Sequence, residues 1–318
     1  MERGKRPPRR LYKYRALTAR TLDMVVGDKL HFADPSTFND PLDTRPSLDN
    51  DVDVGELGRI LWMLTEQRIA AEMRAAADAM RLKGSKTTDL IEKRSRGQAD
   101  KRIAEIEYSA MDPEFDTEMT LRYRIELELL RRYEKGIVSF AEQDDCPLMW
   151  SHYGDQHRGI CLGYSVPERA TKDVHKVAYD GDRLVKASEV GAMLDGDDEA
   201  RSRVDAAVML RKAERWSYEQ EWRLIGRRGT EGSPLELEEI IFGMKCMESV
   251  KYTVMKALED RGGSVEFHQM REERGTFNLW KDELIYDDEI FVHFPERHLD
   301  LLEGFEDLTA DDTAIGGE

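Results

Sequence analysis

Apolar residues change their spacing along this chain, and each change marks a different expected element. In LYKYRALTARTLDMVVGDKLHFADPSTFNDPLD, Leu11, Tyr12 and Tyr14 suit a short strand. Thr18 is placed to cap a brief helix running to Met24, and Gly27-Asp28 supplies a turn. Leu30 and Phe32 then alternate with His31 and Ala33, the period of a half-buried strand. Asp34-Pro35 and Asp40-Pro41 bracket an irregular loop, because a residue before proline is pushed out of the helical region.

From residue 54 to residue 135 the chain is rich in Ala, Arg, Glu, Leu and Met, and Ile60, Leu61, Leu64 and Ile69 recur at helical spacing. Residues 121–133 fit two periods: Leu121, Tyr123, Ile125, Leu127 and Leu129 alternate, while Leu121, Ile125, Leu129 and Tyr133 keep a four-residue step. Their Glu, Arg and Leu content and their length favour helix. Strand patterns resume at 136–140 and 159–164, with a turn at 144–147 and one helical turn at 148–153 between them. Further strands are expected at 174–179, 222–225, 237–242 and 265–270, and helices at 187–215 and 248–260. Strands and helices do not alternate regularly and no repeat is visible. The expected class is α+β, a mixed, mostly antiparallel β core with a large helical insertion, and not a doubly wound sheet. The expected organisation is a flexible basic arm at 1–10, a single domain at 11–300 carrying the insertion at 54–135, and an acidic flexible tail at 301–318.

Composition narrows the function classes. At 318 residues, 40% hydrophobic and 36% charged, the chain can bury a sizeable core beneath a heavily charged surface. Its net charge of −17, from 48 Lys and Arg against 65 Asp and Glu, repels phosphates and argues against wholesale nucleic-acid coating. The basic residues crowding the first fifteen positions read either as a solvated terminus or as a contact for a polyanion. No apolar run of about 18 residues exists, so no membrane contact is expected, and the basic N-terminus lacks the apolar segment of a secretory signal. Cys146, Cys161 and Cys246 form no CxxC pair, which argues against zinc or disulfides and fits a reducing cytoplasm.

Candidate chemistry sits in four segments. MWSHYGDQHRGICLGY gathers Trp150, His152, Tyr153, Asp155, His157 and Arg158. His152 or His157 could serve as an acid–base group and Tyr153 as a stacking surface; the alternative is that Trp150 and Tyr153 simply pack. Two histidines five apart match no common metal-ligand spacing, so no metal is expected. In SYEQEWRLIG, alternation would put Glu219 and Glu221 on one face at the leading edge of a strand, where paired carboxylates can orient a hydroxyl or stabilise a cationic transition state. The alternative is two solvent-facing acids partnered by Arg223 or Lys212. In LYKYR, Arg15 or Lys13 could clamp a phosphate or ribose, or be an ordinary edge charge. FNDPLD reads as a rigid turn with Phe38 as a plug, in which Asn39 could line a pocket. No phosphate-binding glycine loop, GxSxG elbow or HExxH helix is present.

Taken in order, LYKYR, LHFADPSTFNDPLD, PLMWSHYGDQHRGICLGY, WSYEQEWRLIG and EEIIFGMKC resemble a bacterial family catalogued as domain of unknown function 2971, over roughly residues 11–270. The layout is similar to that of toxin-like ADP-ribosyltransferases, a resemblance that implies a split sheet and NAD as substrate. By it, Arg15 would hold the cofactor, Ser151 or Tyr153 would support the nicotinamide ribose, and Glu221, preceded by Glu219, would be catalytic. The middle motif departs from the pattern, with WSHY in place of a Ser-Thr-Ser run. The candidate catalytic groups are thus Glu221, Glu219 and His152, and the candidate cofactor contacts Tyr12, Arg15, Asn39, Trp150, Ser151, Tyr153 and Arg223. Three function classes follow. The first is a NAD-consuming enzyme of a toxin or antiphage-defence system, with a protein or nucleic-acid acceptor or none. The second is a metal-independent nuclease using His152, Asp155 and His157. The third is a non-catalytic binding or sensor module whose helical insertion docks a protein partner.

Overall fold

The computed structural model describes residues 6–132 and 135–284. The expected acidic tail, the end of the expected domain and residues 1–5 of the basic arm lie outside them.

The opening follows its pattern: β1 (Arg10–Arg15), α1 (Ala19–Val26) and β2 (Lys29–Phe32), with Thr18 accepting from the Thr21 amide at 3.1 Å as the helix cap. A short strand β3 (Ser47–Asp49) leads into α2 (Val54–Ala79), α3 (Ser85–Ser109) and α4 (Thr117–Arg132), the expected insertion. Leu57, Ile60, Leu61 and Leu64 of α2 pack with Leu121, Ile125 and Leu129 of α4, so the four-residue step wins over alternation in the ambiguous stretch. The chain returns through β4 (Lys135–Ala141), α5 (Pro147–His152) and β5 (Ile160–Ser165).

Beyond β5, the expected strand at 174–179 shrinks to β6 (Val174–Lys176). After β7 (Leu184–Lys186), the single helix expected at 187–215 is two, α6 (Ala187–Leu194) and α7 (Asp198–Met209). Gly196, at a φ of 101° that favours glycine, breaks the run, and Asp197 recaps it by accepting from the Glu199 and Ala200 amides. A 3-10 turn (Glu214–Glu219) leads into β8 (Glu221–Arg227), β9 (Gly229–Gly232), β10 (Glu236–Phe242), α8 (Glu248–Ala257) and β11 (Glu266–Glu272). The closing strand β12 (Leu279–Glu283) was not anticipated from the pattern.

The main sheet has the order β12-β11-β10-β5-β1-β4-β8-β6, and its pairs are antiparallel except β10 with β11. This is the mixed, mostly antiparallel α+β core expected. Central β5 is buried along nearly its whole length because both its faces are covered. On one side Ile160, Leu162 and Tyr164 join α8; on the other Cys161 joins Trp150 of α5. The insertion is not a separate body: α6 and α7 contribute Val190, Val204 and Val208 to the core built by α2 and α4.

Two details position the site. Along β1, all six residues pair with β5, but the pairing with β4 is a single register, Tyr12 opposite Ala141. The sheet therefore parts between β1 and β4. Across the gap, Lys13 Nζ donates to the Ser139 carbonyl at 2.8 Å. On β4 and β8, Gly136 and Gly226 lie opposite one another beneath Phe32, and a Cβ on Gly226 would come within 2.5 Å of its ring. Two glycines in register thus let the β2 segment settle onto the sheet beside the gap.

Candidate functional site

A cleft of about 310 Å³ opens where β1 and β4 part, within the size range of small-molecule sites. Its walls include Tyr12, Lys13 and Arg15 of β1, Ser139 of β4, Phe38 and Asn39 of the FNDPLD turn, Tyr153 after α5, and the acids Glu219 and Glu221.

The acids do not sit two apart on one strand, as alternation suggested. Glu219 ends the 3-10 turn, Gln220 adopts a left-handed φ of 43°, and Glu221 starts β8. The left-handed residue turns the chain so that both carboxylates reach the same amine: Lys212 Nζ donates to Glu219 Oε2 and to Glu221 Oε2, the latter at 3.0 Å. Neither acid faces solvent, with Glu219 4% and Glu221 2% exposed.

Glu221 is braced from its own strand. Arg223, two residues on and on the same face, donates from Nε to Glu221 Oε1 at 2.9 Å. Its Nη1 donates to the Met209 carbonyl at 2.6 Å, and its Nη2 reaches both oxygens of Asp43 at 2.8 and 2.6 Å. The Phe38 ring lies 5.5 Å from the guanidinium carbon. The Glu221 amide donates to the Tyr179 hydroxyl at 2.8 Å, and the Ser139 side chain hydrogen-bonds the carboxylate. Among the described residues, Arg223 is fully buried, and its fork geometry satisfies three groups at once.

The carboxylates are held apart in acidity. Burial alone would push Glu221 up, but Arg223 and Lys212 outweigh it and hold the carboxyl at about 2. Glu219 goes the other way: burial and the neighbouring Glu221 raise it against the pull of Lys212. Burial also raises Asp43 despite Arg223. For Lys212 burial opposes the charge, yet Glu221 and Glu219 prevail and raise it, so it stays an ammonium. Tyr153 donates to Glu219 Oε1 at 2.8 Å and accepts from Asn39 Nδ2 at 3.1 Å, linking the FNDPLD turn to the acid pair.

The opposite wall bears two basic side chains, Lys13 and Arg15, with no recorded ion pair. Arg15 has a buried Nε without a hydrogen-bond partner, and burial lowers the pKa of its guanidinium. Lys13 is half-buried, and its recorded hydrogen bond goes to a carbonyl, not to an acid. Burial, reinforced by Arg15, pushes its amine well below the ordinary lysine range.

Of the sequence candidates, the fold brings Tyr12, Arg15, Asn39, Tyr153, Glu219 and Glu221 to this cleft. The rest stand elsewhere. Arg223 does not line the cleft but lies behind Glu221, so it acts on the carboxylate. Trp150 is buried, its indole donating to the Asp144 carbonyl at 2.7 Å and packing edge-on to Tyr14, which is core work. Ser151 is exposed and donates to the Pro147 carbonyl one turn back. His152 is exposed beside Tyr153, while His157 stacks on Trp150 with its rings 15° apart. None of Trp150, Ser151, His152, Asp155 or His157 lines the cleft. Among the described residues, no cluster of three His, Cys, Asp or Glu could hold a metal.

Lys212, Asp43 and Ser139 were not among the sequence candidates for the site. Asp43 ends a segment already singled out, FNDPLD, but nothing in an acid-rich sequence marks one aspartate as the partner of an arginine 180 positions away.

Residues 149–224 match a family model described as "Protein of unknown function (DUF2971)", the family the motifs resemble; the match takes in the WSHY and EQEWRL segments and not LYKYR, LHFADPSTFNDPLD or EEIIFGMKC. The match runs from the residue before Trp150 through α5, β5 and the acid pair to the middle of β8. No curated protein and no solved structure matches the chain. No helix among the described residues is long and apolar enough to cross a membrane.

Proposed function

We propose that the cleft cleaves the nicotinamide–ribose bond of NAD, either hydrolysing it or passing ADP-ribose to an acceptor. The observation that carries the reading is Glu221: a buried carboxylate, kept ionised by Arg223 and Lys212, lining a cleft whose other wall bears the basic side chains of Lys13 and Arg15.

The chemistry asks for that arrangement. As the glycosidic bond breaks, the ribose gains oxocarbenium character, and an ionised carboxylate on a ribose hydroxyl stabilises the growing positive charge. The buried acids outnumber their cations, with Asp43, Glu219 and Glu221 against Lys212 and Arg223. The excess negative charge suits a cationic transition state. Burial and Glu221 raise the pKa of Glu219 toward the working range, where it can exchange a proton with water or an acceptor hydroxyl. Tyr153 holds Glu219 in place, and Tyr12 offers a ring at the cleft wall on which a nicotinamide can stack. NAD has no other role in this reading than substrate, and the effector role in a toxin or defence system rests on the family resemblance alone.

The test is incubation of the purified protein with NAD, with and without cell extract as a source of acceptors, following nicotinamide release. Release by the wild type and its loss in Glu221→Gln, with an unchanged circular dichroism spectrum, is the expected result. Equal release by both proteins would remove Glu221 from the mechanism, and none from either would leave the cleft to a non-catalytic binding role.

A further inference from the structure

The β1 wall of the cleft contains a group that the proposed bond cleavage does not use. Lys13 Nζ hydrogen-bonds only the Ser139 carbonyl in the described structure, exactly where β1 and β4 cease to pair. It also lies 5.3 Å from the centre of the Phe140 ring. The charged groups that face it are Arg15 on its own strand, His31 on β2 and Glu221 on β8, with Arg20 of α1 beyond, facing Arg15 and His31. Three of these four are cations or become one on protonation. An ammonium at Lys13 therefore meets repulsion and desolvation together, offset only by a carboxylate that Arg223 and Lys212 already engage.

The geometry points to an anion site formed by Lys13 and Arg15, one that takes a phosphate-bearing ligand and draws a proton onto Lys13 as it fills. In the empty cleft the Lys13 amine donates one hydrogen bond to Ser139 and holds the two strands together across the gap. A phosphate group arriving beside Arg15, which lines the cleft without a recorded acid partner, supplies the missing counter-charge and makes the ammonium the favoured form. The balance is simple: Lys13 gains one proton from solvent, the phosphate keeps its charge, and no covalent bond changes. The hydrogen bond to Ser139 can then be exchanged for one to the ligand, so that filling the site loosens the Lys13 clasp between β1 and β4. This inference deepens the NAD reading, since a dinucleotide offers a pyrophosphate, but it does not require bond cleavage.

Isothermal titration calorimetry in buffers of different ionisation enthalpy tests it between pH 7.5 and 9, using inorganic pyrophosphate and ADP-ribose as separate probes for binding and ADP-ribose, whose phosphates carry no titratable proton in that window, for the proton count. Binding of either probe by both wild type and Glu221→Gln is expected, with uptake of up to one proton per site. Affinity should weaken with rising pH, by up to about tenfold per unit, because the bound state holds more protons than the free one. Lys13→Met should lose about tenfold or more in affinity together with the proton uptake. Lys13→Arg, charged at every pH used, should bind without proton uptake, and it serves as the informative variant if Lys13→Met fails to fold. Binding of ADP-ribose but not of free pyrophosphate would assign the site to a nucleotide-borne phosphate. No binding of either probe, or heats independent of buffer in the wild type, would overturn the inference. Pyrophosphate or ADP-ribose binding without any nicotinamide release would leave the anion site standing and remove the catalytic reading; NAD turnover unaffected by Lys13→Met would do the reverse.

Discussion

The chain ties an arginine to carboxylates both in the helical insertion and at the cleft, and the two clusters differ in charge balance. In the helical insertion, Arg68 Nε donates to Glu128 at 2.6 Å and Nη1 to Glu72 at 2.8 Å, binding α2 to α4. At the cleft, Arg223 ties Glu221 to Asp43. Bond lengths and donor geometry are nearly the same. The surroundings differ. Arg131 also reaches Glu128, so that cations and acids match in number, and neither Arg68 nor Glu128 lines the cleft. The Arg223 cluster has an acid in excess, presents it to a cavity, and faces the basic side chains of Lys13 and Arg15 across that cavity. A buried ion pair is thus no sign of function by itself; an unbalanced one at an opening is a candidate for a site.

The comparison can be broken or sharpened, beginning with the largest effect. Arg223→Met leaves Glu221 and Asp43 buried without their shared donor and should cost about 3–5 kcal/mol, read as a lower urea midpoint. A shift under about 1 kcal/mol would mean that the brace is slack. Glu221→Gln removes the charge but keeps the shape, and nicotinamide release should fall about 100- to 1000-fold. Glu128→Gln, in the balanced cluster, should leave that release unchanged. If both variants lose turnover alike, the distinction between the two clusters fails.

A third test uses pH. Glu221, held at about 2 against an ordinary 4.5, contributes stability that is present above pH 4.5 and is lost as pH falls from there toward 2, a loss of about 3 kcal/mol. Glu219 and Asp43 are raised, so they contribute with the opposite sign, and the measurement is the difference between wild type and Glu221→Gln. Urea denaturation across that window should show the wild type losing the larger share. A parallel decline in both proteins would place the depressed pKa elsewhere. The smallest effect belongs to the insertion: Glu128→Gln should cost about 1–2 kcal/mol, because Arg68 is partly exposed and keeps Glu72.

Much of the fold was legible because period and punctuation act locally. Thr18 announced its helix, the four-residue step of Leu121, Ile125 and Leu129 announced α4, and the alternation around Leu30 and Phe32 announced β2. The misreadings have equally local causes. Gly196 and Asp197 divide one helical pattern into two, and Gln220 takes a left-handed conformation that no sequence rule assigns to glutamine. For the site, Glu219, Glu221, Tyr12, Arg15, Asn39 and Tyr153 were found by asking why polar groups interrupt apolar patterns. Trp150 and Ser151 failed the same question: the indole NH is satisfied by a carbonyl inside the core, and the serine hydroxyl by its own helix.

By itself, the sequence determined the class of fold, the place of the helical insertion and the segments in which chemistry could lie. Those follow from burial at a fixed repeat and from the conformational limits of proline and of capping side chains. The sequence named Arg223 and Lys212 as partners of the glutamates, but as a solvent-facing group; their burial and the remaining partners were decided by tertiary structure. Only the parting of β1 from β4 creates the cleft, and only the fold sets Asp43 beside Arg223, Lys212 between two glutamates, and Lys13 against a carbonyl. Charge compensation is a property of distances in space, and among the many acids and bases of this chain the sequence order carries no record of which will meet.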